Sequence, residues 1–153
     1  MPRTDRASLL IHADAHLVFD ALTSQEALAQ WLPPKGMRGR FERFDMRTGG
    51  SYRLVLTYEN ASDSPGKTSA DSDVTEVRIA QLVPGERVAQ EVDFESDGVV
   101  FQGTMQMDWS LRSEHQGTIV EFEARNVPEG IRARDHAEGL TSSLANLAAY
   151  LEP

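Results

Sequence analysis

The 153-residue sequence contains no cysteine. That excludes disulfide staples, thiolate nucleophiles and thiolate zinc sites, and it suits a reducing compartment. No apolar run approaches the ~18 residues of a membrane-spanning helix, so no membrane insertion is expected. The N-terminus carries Arg3, Asp5 and Arg6, and its apolar stretch Leu9 to Ile11 is too short for a secretory leader, which points to a cytoplasmic protein. In that setting Asn60-Ala61-Ser62 is an accidental glycosylation match. Positive charge is scarce: 15 Lys and Arg stand against 24 Asp and Glu, a net charge of -9. Such an anion is a poor partner for phosphate backbones, so no nucleic-acid role is expected. There is no Gly-x-Ser-x-Gly elbow, no phosphate-binding glycine loop and no third ligand to join His12 and His16, so neither a metal nor another cofactor is expected.

What is present is an ordinary balance of 40% hydrophobic and 25% charged residues, in a length that suits one domain, 1–153. Ser8 to His12 reads as a strand. Asp14 is placed to cap a short helix from Ala15 to Leu22, and Thr23-Ser24-Gln25-Glu26 is a capping-box pattern opening a second one, which Pro33-Pro34 ends. Strands follow over Met37 to Met46 and Ser51 to Glu59, joined by Thr48-Gly49-Gly50. A loop rich in Ser, Asp, Gly and Lys spans Ala61 to Ser72. Two hairpins follow: Asp73 to Val83 with Arg87 to Glu95, and Val100 to Arg112 with Gly117 to Val127.

The strand from Phe101 has the clearest alternation. Phe101, Met105, Met107, Trp109 and Leu111 share one face, and Gln102, Thr104, Gln106, Asp108 and Arg112 the other. A helix from Arg132 to Leu151 carries Ala133, Ala137, Leu140, Leu144, Leu147 and Leu151 as a core-facing stripe, with Gly139 on its edge. One dry sheet face and one long amphipathic helix must bury each other. The expected fold is therefore α+β: a curved antiparallel sheet of six to seven strands around a long C-terminal helix, with two short helices after the first strand. A tunnel between helix and sheet follows from such a grip.

Four segments carry a family resemblance: Gln30-Trp31-Leu32-Pro33-Pro34, Phe44-Asp45-Met46-Arg47-Thr48-Gly49-Gly50-Ser51-Tyr52, His136-Ala137-Glu138-Gly139-Leu140 and Leu144 to Leu151. Together they resemble the activator of heat-shock-protein-ninety ATPase homologue-like (AHSA-like) proteins, of the helix-grip START and birch-pollen-allergen superfamily, SRPBCC. The resemblance implies the helix-grip fold. It implies several functions: lipid and hormone binding, polyketide cyclisation and chaperone regulation are all found on this fold, and many small bacterial members have no assigned role. Relatives commonly place tryptophan after the helix glycine. Leu140 stands there in this chain and reshapes the space beneath the helix.

The expected function is the binding of a small apolar or amphipathic ligand. Trp31, Tyr52, Leu54, Phe101, Met105, Met107, Trp109, Leu140 and Leu144 are the expected lining, since methionine and aromatic side chains suit adaptable apolar sites. No residue is assigned a catalytic role. A cyclase or dehydratase-like enzyme is the alternative, with Tyr52, Tyr58, Gln90 and His136 as its candidate polar groups. A chaperone ATPase regulator is the third reading, and a homodimer stays open. Arg47, in the Gly-Gly turn, reads as a salt-bridging residue. The basic stripe Lys35, Arg38, Arg40, Arg43, Arg47 and Arg53 reads as cross-strand ion pairs.

Overall fold

The computed structural model describes residues 3–33, 36–58, 72–94, 103–128 and 131–152. The elements are β1 (Arg3–Ile11), α1 (Ala15–Thr23), α2 (Gln25–Trp31), β2 (Met37–Phe44), β3 (Ser51–Tyr58), β4 (Ser72–Val83), β5 (Arg87–Phe94), β6 (Gly103–Glu114), β7 (Gly117–Val127) and α3 (Ala133–Leu151). Every pairing is antiparallel, consecutive strands from β2 to β7 pairing in sequence order and β1 joining β7 across the chain, in one sheet of order β1-β7-β6-β5-β4-β3-β2. The expected α+β helix-grip architecture is the one observed. Phe101 and most of the expected loop Ala61 to Ser72 lie outside the described residues.

The short helices are set by local chemistry. Ser24, not Thr23, caps α2: its hydroxyl accepts from Ala27 N at 3.2 Å, while Thr23 Oγ1 donates back to Phe19 O at 2.8 Å. Val18, Ala21 and Leu22 of α1 and Ala27, Leu28 and Trp31 of α2 face the sheet and are buried. On β7 the alternation is regular, with Thr118, Val120, Phe122 and Ala124 buried on the concave side. Asn126, at φ 60, breaks it near the register shift between Arg3 and Asp5 of β1.

Helix α3 lies chiefly along β1, with smaller contacts to β7, α1 and α2. Leu140, Leu144 and Leu147 are its buried residues. Ala133 and Ala137, expected in the core-facing stripe, are exposed. The periodicity identifies the correct face, but the first two turns run past the apolar surface that would cover them. Gly139 is also exposed, and a Cβ there would meet nothing within 4 Å, so close packing does not account for it.

Candidate functional site

The expected lining residues fall into three neighbouring clusters. Trp31, Trp109, Leu140 and Leu144 belong to the main core beneath the helices. There Trp31 donates its indole N–H to Ala21 O at 2.8 Å, which ties α2 to α1. Its ring meets Trp109 edge-on, with centroids 5.7 Å apart, and Trp109 stacks on Phe122 at 3.6 Å. These large rings fill the end of the concavity under α1 and α2. Tyr52 and Leu54 pack elsewhere, with Val77 and Ile79. Met105 packs with Ala124 and Val127, and Met107 bridges that cluster to the main core.

The middle of the concave face differs from its ends. Met107 of β6 and Val92 of β5 share the inward-facing side yet are only partly buried. Both strands are flanked by others on each side, so an inward apolar side chain there is expected to be covered completely. The overlying helix explains the difference. α3 is displaced toward β1 and makes no comparable contact with β3, β4 or β5 among the described residues. An apolar strip around Met107 is left less filled than the aromatic end.

Two polar groupings flank this strip. On one side Tyr52 and Gln90 are both buried, and Gln90 hydrogen-bonds the Tyr52 phenol. Burial pushes that phenol up to about 12 against the opposing pull of Gln90, so it is neutral at ordinary pH. On the other side His136 Nδ1 lies 2.8 Å from Asp5 Oδ2. The carboxylate can only accept, so Nδ1–H is the donor. Arg3 Nε donates to both Asp5 oxygens, at 2.9 and 3.1 Å, and Arg3 Nη2 donates to Ile131 O, just before α3. Burial alone would raise the Asp5 carboxyl, but the hydrogen bonds and charges of Arg3 and His136 outweigh it and hold the group below its ordinary value. Sequence reasoning singled out Gln90 and His136 but passed over Arg3 and Asp5, because charged residues in a first strand look like a solvated terminus.

Other candidates resolve into structure. Arg47 Nε donates to both carboxylate oxygens of Asp45 at 2.9 Å. Gly49 N and Gly50 O bond to Ile79 O and Ile79 N, each at 2.8 Å, so the Asp-x-Arg-x-Gly-Gly turn pins β4 to the β2–β3 corner. Within the basic stripe, Arg53 bridges Glu42 at 2.8 Å and Glu76 at 3.1 Å, and Arg43 also pairs with Glu76. His12 Nδ1 lies 3.0 Å from Gln116 O. On the convex face a cleft of about 360 Å³ opens over Ala89, beside Gln81, Arg87, Gln106 and Asp108. Its buried carboxylate, Asp108, is shared by Arg87 (3.0 Å) and Arg125 (2.5 Å), so its charges answer one another.

The chain matches the family model for Activator of Hsp90 ATPase homolog 1-like protein over residues 12–152. A crystal structure of a protein from Chromobacterium violaceum is 29% identical, with a TM-score of 0.83 over 100% of this chain and 99% of that one. The solution structure of an AHSA1-like protein from Aeromonas hydrophila shares the fold at 16% identity, with a TM-score of 0.78 over 98% and 92% of the two chains. So does DynU16, a protein of the dynemicin biosynthetic locus, at 21% identity and a TM-score of 0.69; the match covers 97% of this chain and 47% of that one. No curated protein matches significantly. No described helix is long and apolar enough to cross a membrane.

Proposed function

The chain belongs to the Activator of Hsp90 ATPase homolog 1-like family, within the SRPBCC superfamily, and we propose that it binds a small apolar or amphipathic molecule on the concave face of its sheet. The observation that carries this reading is the partial burial of Met107 and Val92 on interior strands, beside a helix displaced toward β1. Apolar lining with a few placed polar groups is the usual make-up of a ligand site. Met105, Met107, Tyr52 and Leu54 stay in the proposed lining. Leu140 and Leu144 form its back wall, and Trp31 and Trp109 close its filled end. Native mass spectrometry of protein purified without denaturation tests the reading. An adduct of small-molecule mass that is lost on unfolding supports it. A bare protein that also fails to take up apolar probes counts against it.

One observation favours a second reading, an enzyme of the cyclase or dehydratase kind. The Asp5–His136 hydrogen bond fixes one imidazole nitrogen and leaves Nε2 for proton transfer, as a general base requires. Once a substrate is known, His136→Gln abolishes turnover under this reading while substrate is still bound. A chaperone-regulating role rests on the family description alone and ranks third.

A further inference from the structure

We infer that the ligand is an amphipathic acid: an apolar body with a carboxylate held at His136 and a neutral hydroxyl or carbonyl oxygen held at Tyr52 and Gln90. This rests on the ligand-binding reading above and adds the chemistry of the two ends. Strand register supplies the argument. Asp5 pairs with Ala124, Ala124 with Met107, and Met107 with Gln90, so these four residues form one row across the concave face. The row runs from β1 through β7 and β6 to β5, which is three strand spacings, or roughly 14 Å between its ends. Its middle is apolar: Ala124 is fully buried, with Ile131 packed against its cluster, and Met107 beside it is unbranched, adaptable and partly accessible. Both ends are polar, and they differ in kind.

At the β5 end the groups are neutral, a phenol and an amide, and they suit an uncharged oxygen. At the β1 end Arg3 and His136 share the single carboxylate of Asp5. With His136 protonated, the three groups sum to one positive charge beneath the first turns of α3. The Asp5, His136 and Arg3 side chains are 8%, 14% and 29% exposed, so solvent compensates that charge only in part. Nε2 remains as the imidazole's second donor. A carboxylate there balances the charge and accepts a charge-assisted hydrogen bond. An ammonium group would meet Arg3 and a protonated His136 as like charges and is disfavoured on the same grounds.

The test compares decanol, decanoate and ω-hydroxydecanoate by calorimetric titration, alongside 15N spectra of the His136 imidazole. The wild type should prefer decanoate to decanol, and ω-hydroxydecanoate to both. His136→Gln should weaken decanoate about tenfold or more relative to decanol, as expected for a lost charge-assisted hydrogen bond. Tyr52→Phe should cut the advantage of the ω-hydroxyl group by about fivefold. In the wild type, decanoate but not decanol should shift the His136 ring nitrogens, a readout that does not depend on any variant folding. Equal binding of decanol and decanoate, with no His136 shift, would overturn the acid end and leave the apolar-ligand reading standing. Failure of all three probes to bind would overturn both.

Discussion

His136, on the first turn of α3, donates from Nδ1 to Asp5 Oδ2 on β1 at 2.8 Å, across 131 residues of sequence. The neighbouring helix residues Ala133, Arg134, Asp135, Ala137, Glu138 and Gly139 are all exposed, and the first buried residue of α3 is Leu140. The start of the helix is thus held to the sheet through a polar clamp, with Ile131, just before the helix, packed against Met105, Ala124 and Val127 beside it.

Replacing Asp5 with Asn should therefore cost about 2 kcal/mol at neutral pH, the scale of a hydrogen bond to a charged partner. Because the folded-state carboxyl titrates below its ordinary 3.8, its contribution is present above that pH and is lost as pH falls through the lower folded-state value. Urea denaturation should show wild type and Asp5→Asn converging in strong acid. Amide exchange in the variant should quicken over residues 133–139 and stay slow at Leu144. A constant gap at every pH would mean the carboxylate charge is not involved.

Two glycines should respond with opposite signs. Gly139 is helical and exposed, with open space around its missing Cβ, so Gly139→Ala should stabilise the protein by about 1 kcal/mol. At Gly50 a Cβ would collide with the Asp45 carbonyl oxygen inside the turn that pins β4, so Gly50→Ala should destabilise it. Melting temperatures of the two variants decide both points.

On the convex face, Asp108→Ala should cost about 2 kcal/mol, because it leaves two guanidinium groups facing each other over a buried position. Arg125→Gln should cost under about 1 kcal/mol, since that side chain is 42% exposed and Arg87 still serves Asp108. Urea midpoints measured with matched slopes give both values. Equal losses would show that the network acts as one unit.

The faces of β6 and of β7 up to Arg125 were legible because period-two alternation is a direct record of which side is dry. Gly117 to Val127 is read with its observed bounds. Arg132, read as the first residue of the last helix, is its cap. Asp108 was assigned to the correct face but not seen to be buried. Alternation tells which way a side chain points, not that two arginines will lie over it. Ala133 and Ala137 failed for the complementary reason, since a helical stripe does not record how far its partner surface reaches. β1 starts at Arg3, five residues before the expected Ser8, because Arg3, Asp5 and Arg6 look like a solvated end. Two of those three charges turn inward to the clamp on α3, and only tertiary structure shows that.

The account stands or falls on an accessible apolar strip at Met107. The most direct test is a spectrum of the protein with 13C-labelled methionine methyl groups, followed as decanol is added. The account predicts a saturable shift of the Met107 methyl, with a smaller one at Met105, while Met37 at the start of the edge strand β2 does not move. A Met107 signal that stays fixed while the protein remains folded would contradict it and show that the concavity is packed shut.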